Sequence, residues 1–255
     1  MKCSVEVESR DINQKDRMGY TPLAWAAWNG YVAVVELLLS RADIDPDKPD
    51  ENGHTPLMVA ACGGYEGVVK ILLRREDVDP DKSDEYGETP LLLAARYGHE
   101  EVVRVLLRRE DINPDKPSED SQTPLLLAAR NGDEVVVNML LGRDGVDPNY
   151  SDQFGGTPLW QAAYGGHEGI VEMLLGCDDV NPNKPDNRGQ TPLSCAAEIG
   201  HVGVVEILVG RGDVDPDKPD NKGQTPLSYA TRNGRARVVA LLSPPTAPTQ
   251  STSQT

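Results

Sequence analysis

The sequence predicts an all-α repeat fold, a solenoid of units that each carry two short helices. Three observations predict it. The tripeptide Thr-Pro-Leu recurs at Thr21, Thr55, Thr89, Thr123, Thr157, Thr191 and Thr225, each 34 residues after the last, which puts seven units in strict register. A glycine stands nine residues after every one of these threonines, from Gly30 to Gly234. An aliphatic pair follows at offsets 13 and 14, from Val34-Val35 to Val238-Val239. Neither helix of such a unit can bury its apolar face alone, so each unit needs a neighbour.

Each element follows in turn. Residues 1–11 form a partial N-terminal flank, expected to be the remnant of a preceding repeat. The array proper spans 12–243. In every unit Thr opens the first helix as N-cap, its hydroxyl accepting from a free amide, and Pro at the first helical position loses only a donor that had no partner. Alanine pairs such as Ala60-Ala61 and Ala94-Ala95 give that helix a thin face on which a neighbour can close. The glycine ends it in a conformation open to positive φ. The second helix carries Val-Val and, a turn later, Leu-Leu as in Leu72-Leu73, the spacing of a buried stripe. A connector follows, for which "DIDPDKPD" (43–50) stands as the type. After Leu242 the segment 244–255 is rich in Pro, Ser and Thr and is expected to be disordered.

A 34-residue period also suits the tetratricopeptide repeat, but that repeat needs two long helices and its own Trp-Leu-Gly-Tyr signature. The Pro-Asp-Lys-Pro segment here removes those residues from any helix. The stretch "GHTPLMVAACGGYEGVVKILLRREDVDPDKSDEYG" (53–87) instead resembles the ankyrin repeat, D-x-x-G-x-T-P-L-x-x-A-A-x-x-G-H-x-x-V-V-x-x-L-L, and the resemblance runs over residues 11–243. The units look most similar to those of fungal ankyrin arrays. The resemblance implies an ankyrin solenoid of stacked helix-turn-helix units joined by β-hairpin-like loops. The chain also departs from the pattern. The histidine usual after Thr-Pro-Leu is replaced in all seven units, by Ala24, Met58, Leu92, Leu126, Trp160, Ser194 and Ser228. The first hairpin, 12–21, is expected to lack the extension the others carry, and Ser118 and Ser121 stand where the fourth hairpin should have Asp and Gly.

Composition excludes several functions. With 25 basic and 41 acidic residues, net charge −16, there is no clustered Lys and Arg to neutralise phosphates, so no nucleic acid and no membrane partner is expected. No apolar run suits a signal peptide or a membrane span, and Cys3, Cys62, Cys177 and Cys195 form no CxxC pair. The expectation is a monomer in the cytoplasm, with the nucleus also open to it, its thiols free.

The connectors place Asp43, Asp45 and Asp47 two apart, as a calcium loop opens, but Lys48 sits at the sixth loop position and His54 at the twelfth, where glycine and a bidentate Glu are needed. The copy beginning at Asp77 reaches Glu88 and still has Lys82 at position six. Asn113, Asn149, Asn181 and Asn183 replace Asp elsewhere, which suits Asx turns better than charge-based ligation. The stretch reads as a Pro-stiffened connector whose acidity mostly solvates the array. "HEEVV" (99–103) and "HEGIV" (167–171) begin like a zinc-protease motif but put Val where its second His belongs. No nucleophile elbow, P-loop or dinucleotide fingerprint occurs, so the reading is no enzyme, no cofactor and no metal.

The family resemblance implies a protein partner lying on the concave face, against the hairpin tips and the inner side of the first helices. Those positions hold Tyr20, Trp28, Tyr86, Tyr97, Phe154 and Tyr164, six of the chain's twelve aromatic residues, where an even spread would leave fewer than two. Arg96, Arg130, Arg188 and Arg232 lie on the same face. Aromatic and arginine side chains are what interface centres favour. The reading is a non-enzymatic protein-interaction scaffold. The alternatives are the regulatory or sensor end of a larger signalling protein, and a purely stabilising array in which the rings only pack on the next hairpin.

Overall fold

The structure, a computed structural model, describes residues 11–243; the flank up to residue 10 and the Pro/Ser/Thr-rich segment 244–255 lie outside the described residues. Among the described residues fourteen helices run in pairs, one pair per Thr-Pro-Leu unit. The first helices are α1 (Pro22–Trp28), α3 (Pro56–Cys62), α5 (Pro90–Arg96), α7 (Pro124–Asn131), α9 (Pro158–Gly165), α11 (Pro192–Ile199) and α13 (Pro226–Arg232). The second helices are α2 (Val32–Leu39), α4 (Glu66–Leu72), α6 (Glu100–Leu106), α8 (Glu134–Leu141), α10 (Glu168–Leu175), α12 (Val202–Val209) and α14 (Ala236–Leu242). The described residues form two compact units, divided between Gln153 and Phe154. In the first, α1, α3, α5 and α7 pack side by side in one layer and α2, α4, α6 and α8 in a second; in the second unit, α9, α11 and α13 form one layer and α10, α12 and α14 the other.

Helices of seven or eight residues are too short to persist alone in water, so their stability comes from caps and from packing. All seven threonines cap as expected: each Oγ1 accepts from the amide three residues on, at 3.1–3.3 Å. Each is followed by Pro at the start of the helix. The glycine nine residues on adopts φ between 66° and 99° in every unit, which turns the chain into the second helix. Leu57, Leu91 and Leu125 are fully buried between the layers, as are the alanine pairs at 60–61, 94–95 and 128–129 that let the first helices approach.

The hairpins are turns; no strand occurs among the described residues. They close through two backbone bonds, such as the Asp50 amide donating to the His54 carbonyl at 2.9 Å and the Gly53 amide to the Asp50 carbonyl at 3.4 Å, and most add one carboxylate oxygen. Asp50 Oδ1 accepts from the amides of Asn52 and His54, both at 2.9 Å, and Asp84, Asp186 and Asp220 do the same in their own turns. The turns stack through the backbone, Glu119 N donating to Tyr86 O and Asn187 N to Phe154 O, each at 2.9 Å.

The connectors are more than a solvated arm. Asp47 Oδ2 accepts from the amide of Asp79 at 2.7 Å, Asp81 Oδ2 from Asn113 at 2.6 Å, and Asp115 Oδ2 from Asp147 at 3.1 Å, so each carboxylate reaches into the next repeat. Asn13 and Asn183 make the same bond with their Oδ1, to the amides of Asp45 and Asp215 at 2.8 Å. Asn13 therefore keeps the first hairpin in the common register, which corrects the expectation that it lacks the extension. A second rung is built by arginine: Arg75, Arg109 and Arg211 each grip the aspartate two residues on through two nitrogens and donate to a carbonyl at or just past the end of the preceding second helix, Leu39, Leu73 and Leu175, at 2.8–3.0 Å. A third comes from the opening of the second helix, where His99 Nε2 meets the Cys62 carbonyl at 2.8 Å and His201 Nε2 the Tyr164 carbonyl at 3.0 Å. His99, which opens "HEEVV", and His201 are thus inter-repeat links.

Candidate protein-binding face

The side of each unit formed by hairpin tips and first helices carries several exposed rings, besides Tyr31, 58 % exposed at the start of α2. Trp28 is 50 % exposed, Tyr86 60 %, Tyr97 54 %, Phe154 69 % and Tyr164 54 %, while the layers between the helices are filled by Ala, Val and Leu. These rings stand at helix ends or turn tips because the repeat places them there: Tyr97 is the residue that ends α5, and Tyr86 and Phe154 sit just before a turn glycine. Full burial of such a ring is worth about 1.5–3 kcal/mol, and a ring half in water forgoes roughly half of that.

Within the first unit the predicted residues fall into two groups. At α1, Tyr20 meets Trp25 edge to face at 5.7 Å and Trp28 at 6.2 Å, and Met18 completes an apolar hollow of about 130 Å³. Asp16 Oδ2 accepts from the Trp25 indole at 2.6 Å, a bond that holds its carboxyl below the ordinary value and fixes the ring. The second group lines a polar pocket of about 370 Å³ between the second, third and fourth hairpins: His54, Tyr86, Glu88, Arg96, Ser118, Glu119 and Asp120. Arg96 is already paired with Glu88 there. Burial raises the Glu88 carboxyl above its usual value; Arg96 opposes that shift, Asp84 adds to it, and His54 opposes it. The His54 ring lies between two buried carboxylates, 3.2 Å from Asp50 and 3.3 Å from Asp84. Tyr97 stacks on His99 at 6.3 Å, and Arg130 is exposed at the end of α7.

In the second unit Tyr164 stacks on Trp160 at 5.5 Å with the rings nearly parallel. Arg188 and Arg232 are exposed; Arg232 donates to Gln224 at 3.3 Å and sits 5.9 Å from the Tyr229 ring centre. Sequence reasoning passed over Met18, Trp25, Glu88, His54 and Trp160. Trp25 is three residues from Trp28 on a helix, which is the spacing of a shared face and the signal that would have found it.

The described residues contain no group of three or more His, Cys, Asp or Glu side chains placed to hold a metal ion, and no helix long and apolar enough to cross a membrane. Cys62, Cys177 and Cys195 are free thiols.

The comparisons agree with this architecture. A family model described as ankyrin repeats (3 copies) matches residues 42–117, 110–186 and 178–252, and the single ankyrin repeat model matches 18–51. The human ASB11 ankyrin repeat domain superposes with a TM-score of 0.77 at 23 % identity, covering 89 % of this chain and 100 % of that one. The ankyrin repeat domain of Bcl-3, titled a unique member of the IkappaB protein family, gives 0.74 at 26 % identity, covering 87 % and 99 %. No curated protein matches the sequence. Ankyrin repeat domains are in general protein-interaction modules built on a non-catalytic fold. With family models covering nearly all of its length and the repeat's caps, turns and helix pairs in place, the chain belongs to the ankyrin repeat family.

Proposed function

We propose that the protein is a non-enzymatic scaffold that binds a protein partner on the side formed by its hairpin tips and first helices, working as a monomer in the cytoplasm or nucleus. The observation that carries this reading is the recurrence of exposed rings at that side, Trp28, Tyr86, Tyr97, Phe154 and Tyr164, in a molecule whose layers are packed without them. Large amphipathic rings beside arginine give much contact area for little lost side-chain freedom, which is how interface centres obtain their energy. The arginines differ in exposure. Arg130, Arg188 and Arg232 are exposed, whereas Arg96 is half-buried and paired with Glu88, a pair it can offer as one surface.

A photo-crosslinking amino acid placed at Tyr86 or Tyr164 should yield the same covalent adduct in the source cell, and placed at Glu100, on the opening of α6, should yield none. Adducts from Glu100 alone would move the binding surface to the second helices.

A further inference from the structure

Seven connector positions are equivalent at the 34-residue period and all hold Asp or Asn; five of them are Asn13, Asp47, Asp81, Asp115 and Asn183. All five use one side-chain oxygen to accept the amide 32 residues on. Their other terminal atom differs. Asn13 Nδ2 donates to the Asp43 carbonyl at 2.7 Å and Asn183 Nδ2 to the Asp213 carbonyl at 2.6 Å, in each case 30 residues on. In the aspartates the remaining atom is Oδ1, and the Oδ1 atoms of Asp47, Asp81 and Asp115 are all buried without a hydrogen-bond partner. The carbonyls equivalent to those met by the asparagines are those of Asp77, Asp111 and Gly145. A bare carboxylate oxygen cannot donate to a carbonyl; a protonated one can.

We propose that Asp47, Asp81 and Asp115 are proton-accepting rungs of the first unit: each takes a proton from water in mild acid and its O–H then donates to the carbonyl 30 residues on, so that acidification completes a bond network that neutral pH leaves open.

The surroundings favour this chemistry. Burial is the largest influence on all three carboxyls and raises them above the ordinary value of 3.8, against the amide bond from the next repeat, which lowers them. Around Asp47, Lys82 favours the charged form while Asp79 and Asp45 oppose it; around Asp81, Lys116 favours it while Asp79 and Asp111 oppose it. Asp115 faces Asp147, and Tyr150 stands where the other two have lysine. Lys82 and Lys116 spend a hydrogen bond on the Asp47 and Asp81 backbone carbonyls, at 2.9 and 2.6 Å, and leave the orphaned oxygens unbonded. A carboxyl whose value is raised by folding is protonated more in the folded than in the unfolded chain. Its cost to stability is present above the folded value, shrinks as pH falls through it, and vanishes below the unfolded value near 3.9.

The test uses the full chain. Carbon-detected NMR of the aspartate side chains should show three of them titrating above 3.8. The triple variant D47N/D81N/D115N should raise the urea midpoint near neutral pH, and its advantage over the wild type should shrink towards about pH 4. The converse change, N183D, should lower the midpoint near neutral pH and recover in acid. Three carboxyls titrating at or below the ordinary value, or a pH-independent difference between wild type and either variant, overturns the proposal. If the triple variant does not fold, the wild-type titration and N183D decide.

Discussion

Ser121 offers the sharpest test of the hairpin register. It is the one non-glycine residue with positive φ among the described residues, at 56°, and the equivalent turn positions are Gly19, Gly53, Gly87, Gly155, Gly189 and Gly223, with φ between 74° and 87°. Holding a Cβ in the left-handed region costs roughly 1–2 kcal/mol, and glycine gives back some of that gain because it loses more freedom on folding, about 0.5–1 kcal/mol. Ser121→Gly should therefore stabilise the array by about 0.5–1 kcal/mol, or ~1–4 °C in melting temperature for a chain of this size. The converse change should be harsher, because crowding adds to strain. A Cβ on Gly189 would lie 2.6 Å from the Asn221 amide nitrogen and on Gly87 3.0 Å from that of Glu119. Urea denaturation followed by circular dichroism, with Gly189→Ser as the opposing control, measures both. A lowered or unchanged midpoint in Ser121→Gly refutes the assignment of strain to this turn.

Other consequences can be checked on the same preparation. Ser118 Oγ makes one turn bond, to the Gln122 amide at 3.2 Å, where aspartates elsewhere make two, so Ser118→Asp should add about 0.5–1.5 kcal/mol, read from the urea midpoint. Millimolar calcium or chelator should leave the melting temperature unmoved, because the connector aspartates already accept backbone amides; a shift of many degrees with calcium and none with sodium at equal ionic strength would contradict this. Exposed like charges at about 10 Å repel by only ~0.4 kcal/mol in water, so moderate salt should change stability little. Cys195, 3 % exposed and with its thiol pushed well above the ordinary value chiefly by burial, should resist alkylation in the folded protein and react on unfolding, as peptide mass spectrometry will show.

The repeat made the local structure legible from sequence. Thr caps, Pro starts and positive-φ glycines are decided within a few residues, and each stands where the pattern put it. What escaped the sequence are the links between repeats, because they join residues 30 to 37 apart whose contact depends on how units stack. The connector acidity was read as a solvating feature for that reason. In the structure Asp47, Asp81 and Asp115 reach into the next repeat and are partly shielded from water. The Arg75, Arg109 and Arg211 rungs were invisible for the same reason, although each arginine stands two residues before its aspartate in the sequence. On the binding face, the recurrence of rings at fixed offsets was readable, but the pairing of Arg96 with Glu88 and the Trp25–Asp16 bond depend on side-chain reach across a turn and a helix.

Calorimetry of a crosslinked partner, once purified, against Tyr97→Ala and Tyr164→Ala tests the central claim most directly. Both rings are 54 % exposed at helix ends, so their loss should leave the melting temperature nearly unchanged. The account predicts a loss of at least ~2 kcal/mol of binding, about thirtyfold in Kd, for each, with Glu100→Ala unaffected. Wild-type affinity in both tyrosine variants would contradict it and place recognition elsewhere on the molecule.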